Sequence, residues 1–383
     1  MQIPWHAEKL SLAVAISLLV LTMPLAAADR TELRKAVQRS IPLLQLSAAE
    51  YTDQRDCFSC HHQALTSMAA ALASQRGLSV DRKKVEWQSE FTAEFFLARK
   101  DQLAQGQGVP GGPYTAAYAA LQLAADRAEE GVARKLLSSY LLATADKQGG
   151  WRIGTHRPPI EDSDFTATAL AVAALRLNVD ASQSQQLAGL LRDSTRWLAQ
   201  QPADTTEDRV FQLLGLYWSQ LPGDASTELG WQQLFSAASL SWSEQAEDVF
   251  RRQADELIRR QQDDGGWSQL DGGESDAYAT GQALVTLLGT GQLRPAQRVV
   301  RRGLDYLLST QLADGSWYVK SRSKAFQKQF ESGFPHGKDQ FISIAASSWA
   351  TMAITLALPI RSARSRSVSI RSVQRGKRAK GAD

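Results

Sequence analysis

The sequence is short of cysteine. Its 383 residues hold two, Cys57 and Cys60, set within the stretch CFSCHH, and two of the five histidines, His61 and His62, follow at once. So few cysteines limit what they can build to a haem attachment, a metal site or one small disulfide loop. Long apolar runs are equally scarce. One, LSLAVAISLLVLTMPL, lies near the N-terminus, is short for a membrane span and ends in Ala26-Ala27-Ala28, a small-residue pattern that signal peptidase accepts. Residues 1–28 therefore read as a cleaved leader and the mature chain as exported, periplasmic or secreted, where thiols can oxidise. No later segment offers a comparable uninterrupted run.

A net basic charge is missing from the body of the chain. The net charge is +3, but the segment from Ile360 onward has six Arg and two Lys against one Asp, which leaves the remainder at −4. With that balance and no nucleic-acid motif, no nucleic-acid partner is expected. The Ser/Arg-rich end, 359–383, is expected to be a disordered basic tail that can touch an anionic surface.

What is present is a repeat. DKQGGW ends at Trp151, QQDDGGW at Trp267 and QLADGSW at Trp317. Each follows an amphipathic helical pattern such as VRRGLDYLLSTQ, and each precedes an apolar helix rich in Ala, Thr and Gly. A degenerate unit without Gly-Gly-Trp fills the interval between Trp151 and Trp267. Six inner helices are expected near 62–74, 114–125, 165–176, 207–219, 275–289 and 341–358. Ringed by charged outer helices, they make residues 29–358 an all-α (α/α)6 toroid, with an open superhelix as the alternative.

Gln261…Trp267 and Gln311…Trp317 resemble the QW repeat of squalene and terpenoid cyclases and of protein prenyltransferase β-subunits. The resemblance implies an α/α toroid in which Gln and Trp tie one hairpin to the next. The first unit departs, with Ala145 at the Gln position. HRPPIEDSDFTATAL and ESGFPHGKDQFIS also resemble exported bacterial proteins that join such repeats to an N-terminal CxxCHH.

In a toroid all inner helices start at one rim, so loops distant in sequence converge there. Cys57–His62, Glu161, Asp162, Asp164, Glu207, Asp208, Glu274, Asp276, His336 and Asp339 should share that mouth. Three carboxylates in four residues, Glu161, Asp162 and Asp164, repel one another and suit acid chemistry. Asp162-Ser163-Asp164-Phe165-Thr166-Ala167 resembles the DxDDTA motif of hopene-type cyclases, which implies Asp164 as a general acid, although Phe165 replaces the supporting Asp and no second barrel domain is present. Aromatic residues on the inner helices suggest an apolar lumen for a hydrophobic small molecule, lipid or isoprenoid.

For CFSCHH the leading expectation is haem c, attached through Cys57 and Cys60 with His61 as axial ligand and His336 as the better-placed second ligand, serving electron transfer with a redox partner or oxidation of a bound apolar molecule. Zinc held by the cysteines, His61 and His336 is one alternative, and a Cys57–Cys60 disulfide another. A haem-free isomerase or lyase, a glycan-cleaving enzyme and a non-catalytic binding module remain as other functional classes.

Overall fold

The computed structural model describes residues 27–127, 131–178, 181–221, 230–324 and 330–360. The leader and the basic tail lie outside these, except for Ala27, Ala28, Pro359 and Ile360. Thirteen α-helices and no strands occur among the described residues.

Six outer helices are α1 (Ala27–Gln54), α3 (Arg82–Leu97), α6 (Gly131–Thr144), α8 (Ser184–Gln200), α10 (Glu244–Arg259) and α12 (Arg298–Thr310). Each leads to an inner helix: α2 (Leu65–Gln75), α5 (Gly112–Ala125), α7 (Asp164–Asn178), α9 (Thr206–Gln220), α11 (Ala277–Gly289) and α13 (Gln340–Ala357). The short α4 (Lys100–Ala104) sits in the connection to α5. The inner helices pack in the order α2–α5–α7–α9–α11–α13 and back to α2, and α12 also touches α1. The ring is therefore closed, an (α/α)6 toroid.

Composition sorts the two layers. Outer α12 buries Val300, Gly303, Leu304 and Leu307, one stripe at helical spacing, and leaves its arginines toward solvent. Inner α13 buries every residue except Phe341. Residues 337–357 are long and apolar enough to cross a membrane, yet 94% of an 18-residue apolar window within them is buried inside the protein, so it is a core helix. Small side chains allow close approach: a Cβ on Gly281 of α11 would stand 2.7 Å from the backbone of Trp349 and Ala350 on α13.

The tryptophans set the register of each hairpin. Trp151, Trp267 and Trp317 are fully buried, and each indole burial contributes roughly 4–6 kcal/mol before entropy is counted. Each indole N–H donates to a carbonyl ten residues upstream on the outer helix: Leu141 (3.0 Å), Leu257 (2.7 Å) and Leu307 (2.8 Å). Each main-chain N–H donates to a hydroxyl of the following inner helix: Thr168 (3.0 Å), Thr280 (2.9 Å) and Ser347 (2.9 Å).

The glutamines join neighbouring units through main-chain carbonyls. Gln261 Nε2 donates to Gly265 O (2.9 Å) and to Val299 O on the next outer helix (2.8 Å). Gln311 Nε2 does the same to Gly315 O (3.1 Å) and to Ala36 O on α1 (2.9 Å), so the last unit grips the first and closes the ring. Gly265 and Gly315 both have φ 92°, and a Cβ there would stand 2.4–2.5 Å from the Arg302 or Arg39 carbonyl oxygen. In the first unit, where Ala145 replaces Gln, Ser194 of α8 donates to Gly149 O (2.6 Å) and supplies the cross-link instead.

Gln311→Ala removes two donors and strands two carbonyls. It should lower unfolding stability by about 1–3 kcal/mol in urea titrations followed by Trp fluorescence. A change within ~0.3 kcal/mol would mean that closure does not depend on this residue.

Candidate functional site at the mouth of the toroid

The inner N-termini meet at one rim, and polar side chains stitch them together. Thr166 of α7 donates to Glu207 Oε1 of α9 (2.9 Å), and Gln282 Nε2 of α11 donates to Glu207 Oε2 (2.8 Å). Ser163 reaches Asp208 (2.6 Å), and Thr206 reaches Ser268 O (2.6 Å). The segment 157–161 crosses the opening. Arg157 and Glu161 exchange main-chain hydrogen bonds (2.8 and 3.0 Å), and Tyr114 of α5 donates to Ile160 O (2.5 Å). Pro159 borders a cavity on either side, one of about 280 Å3 and one of about 110 Å3.

Cys57, Cys60 and His61 all border the larger cavity, with Tyr51, Phe58, Phe95, Pro110, Ile160 and Phe341 among its walls. Cys57 is exposed, and its Sγ lies 3.3 Å from Tyr51 Oη. Cys60 is buried with Sγ 3.8 Å from Thr115 Oγ1, and burial pushes its thiol pKa well up. Both cysteines are free thiols. The local chain explains how they are presented. Ser59 is extended; its hydroxyl accepts from His62 N–H (3.2 Å) and its own N–H donates to Gln63 Oε1. That is a capping box widened by one residue, matched to a wide π-type turn over Cys60–Ala64 before α2.

His61 Nδ1 faces Ser59 Oγ (3.0 Å) and His62 Nδ1 (2.6 Å), and no described residue makes a hydrogen bond to its Nε2. Burial, then the nearby Arg157 charge, lowers its pKa to about 3, so the ring is neutral. His62 is fully buried, stacked on Tyr51 at 4.6 Å, and bonded through Nε2 to Ser332 Oγ (2.8 Å). Burial likewise keeps it neutral.

The three expected acids are separated by their partners. Asp164 accepts from Arg152 (3.0 Å) and from Ile153 N–H (2.9 Å), is partly exposed and borders neither cavity. It pins the chain leaving Trp151 to the start of α7. Asp162 pairs with His156 (3.1 Å) and borders the smaller cavity. Glu161 accepts from Thr155 (3.0 Å) and Arg157 (3.2 Å) and borders the larger one. Each carboxylate has its own side-chain partner, Arg152, His156 or Arg157, so the three are held apart rather than in one cluster.

Glu207 is a buried acid of the mouth. Burial pushes its carboxyl up to about 8, outweighing the hydrogen bonds from Gln282, Thr166 and Tyr278 that favour its charged form. It borders the smaller cavity with Tyr278, Gln282 and Arg322. Sequence reading placed Glu207 at the rim but not as the acid; the neighbouring Thr205 and Asp208 form a capping box. The available signal was polar Thr166 and Gln282 on otherwise apolar inner helices.

His336 does not join the cysteines in a metal site. It bonds Ser316 Oγ (2.9 Å) and packs on Tyr318 and Phe334. Among the described residues no three His, Cys, Asp or Glu side chains stand close enough to hold a metal ion. Among those residues the tetrahedral set that zinc requires is therefore not assembled, while two cysteines and one histidine border a single cavity. Tyr51, Ser332 and Gln340 also surround His62; Ser332 and Gln340 lie within the stretch ESGFPHGKDQFIS, but their residue types gave no reason to place them beside the histidine pair.

Residues 229–351 match the squalene-hopene cyclase C-terminal domain. The chain is a squalene-cyclase-like α/α toroid. Among solved structures it is similar to the type II terpene cyclase MstE from Scytonema, both apo (12% identity, 86% of this chain and 100% of that one, TM-score 0.52) and as a variant in complex with merosterolic acid A (13%, 88% and 100%, 0.53). It is also similar to a possible member of the GH105 family from Salmonella enterica (13%, 94% and 99%, 0.54). No curated protein matches the sequence significantly. At these identities the likeness defines the fold, and the site must be argued from its own residues.

Glu207 gives the fold a pH signature. Its folded pKa of about 8 exceeds the ordinary 4.5, so the native state holds the proton more tightly. Its contribution is complete below about pH 4.5 and is lost as pH rises toward 8. Glu207→Gln should remove that dependence. The stability of wild type relative to the variant should fall by up to about 1.4 kcal/mol per pH unit between pH 5 and 8. Parallel curves would show that the carboxyl is ionised at neutral pH.

Proposed function

We propose that the protein is an exported redox protein that carries c-type haem at the mouth of the toroid. Cys57 and Cys60 would hold the haem covalently through their sulfurs, and His61 Nε2 would be its protein ligand. One observation carries this reading: both cysteines and His61 border a single cavity, and Nε2 is the one ring nitrogen of the histidine pair to which no described residue makes a hydrogen bond. Bound haem supplies one-electron chemistry. The chain's own part is to exclude water with Phe58, Phe95 and Phe341 and to hold His61 neutral. The Arg157 guanidinium at the cavity wall suits a haem carboxylate.

The molecule acted upon would be apolar and held in the mouth. The Scytonema terpene cyclase of this fold holds merosterolic acid A, which favours an isoprenoid-like class. A redox partner and an anionic surface met by the basic tail belong to the same reading.

A second reading keeps acid chemistry and moves it from Asp164 to Glu207, which is buried and protonated at neutral pH. Size ranks it lower. A cavity of about 110 Å3 holds only a few waters at ~30 Å3 each, so a large alkene would require the 157–161 segment to swing away.

Periplasmic expression with haem-maturation machinery tests the first reading. Wild type should keep haem on a denaturing gel and show a Soret band, and the doubly substituted Cys57→Ala, Cys60→Ala protein should show neither. Absence of covalent haem from folded wild type would end the proposal.

A further inference from the structure

Behind His61 lies a chain of hydrogen bonds whose direction the backbone dictates. Ser332 N–H donates to Gln340 Oε1 (2.8 Å), and Gln340 Nε2 donates to Phe330 O (2.8 Å). Flipping the amide would set donor against donor at one end and acceptor against acceptor at the other, so its orientation is fixed. Ser332 Oγ contacts the same Oε1 and must donate to it. Its lone pairs then face His62 Nε2 at 2.8 Å, which must carry a proton.

His62 sits between the rings of Tyr51 and Phe341, forms no ion pair with a described carboxylate, and is fully buried. With its proton on Nε2, its Nδ1 is a bare acceptor. The two Nδ1 atoms stand 2.6 Å apart and can share only one proton, which therefore belongs to His61. Ser47 donates to Ser332 O (3.0 Å) and holds the far end in place.

We infer that His62, Ser332 and Gln340 are positioning residues that fix His61 as its Nδ1–H tautomer, leaving Nε2 as the lone-pair donor at the mouth cavity. The inference rests on the reading of His61 as the ligand there, and it explains why a second histidine follows the first. A single His61 exposed to solvent would divide its proton between both nitrogens. Here a relay spanning 270 residues of sequence selects one form before any cofactor arrives.

The test uses the haem-free full chain labelled with 15N-histidine, in which long-range 1H–15N correlations report each ring's tautomer. His61 should be protonated on Nδ1 and His62 on Nε2. His62→Phe keeps the ring between Tyr51 and Phe341 and removes the acceptor, and His61 should then become a tautomer mixture. Ser332→Ala should produce the same change more weakly, and serves if the first variant does not fold. His61 protonated on Nε2 in wild type, or unmoved in both variants, overturns the inference. The expected tautomers in a wild-type chain that never acquires haem would leave this device standing and remove the haem reading, so the two failures are distinguishable.

Discussion

The indole hydrogen bond to a carbonyl ten residues upstream is the constraint on which the rest of the structure depends. It fixes where the outer helix stops, and the main-chain N–H of the same tryptophan fixes where the next inner helix stands. Repeated at Trp151, Trp267 and Trp317, it brings inner helices to a common level. Only because they start at that level can Thr166, Glu207 and Gln282, from three different helices, share one carboxyl group. A shift of one residue in any hairpin would move its rim side chain by about 1.5 Å and turn it by about 100°.

Much of this was legible in the sequence because the repeat is periodic and its layers differ in composition. The six inner helices fall within a few residues of their expected positions, and the mouth forms where their first turns meet. Asp164 stands apart from both mouth cavities for an identifiable reason. Its surroundings depend on Arg152, twelve residues earlier, which turns back and takes the carboxylate outward. The spacing of acids along the chain says nothing about which cation each one meets. Glu207 was hidden in the opposite way: an acid in the first turn of a helix, next to the Thr205–Asp208 capping box, gives no sign in the sequence that it is buried.

His336 shows the same limit. Convergence at a rim places loops within reach of one another but does not choose which side chains touch. From the loop that leads into α13, Ser332 reaches the histidine pair, while His336 turns to Ser316 and Tyr318. Serine has no metal-binding signature, and its importance here comes only from a main-chain N–H and a glutamine amide that orient its hydroxyl. Networks of this kind are costly when half satisfied and specific when complete. A long directional chain in so apolar an interior therefore argues for a selected arrangement at His61.

The same toroid serves a terpene cyclase in Scytonema and a possible GH105 member in Salmonella enterica, so its ring cannot itself encode the chemistry. The division of labour in this chain is visible. The Trp and Gln ties hold the hairpins through main-chain carbonyls and make little demand on other side chains. The mouth is built from what those ties leave free: the turn around Cys57–His62, the segment 152–163, and the loop from Trp317 to α13. None of the three supplies the Trp and Gln ties that hold the hairpins, and each contributes to the mouth a group that those ties do not use. That is why the function must be read from the cysteines, His61 and its relay, and Glu207, rather than from the fold they stand on.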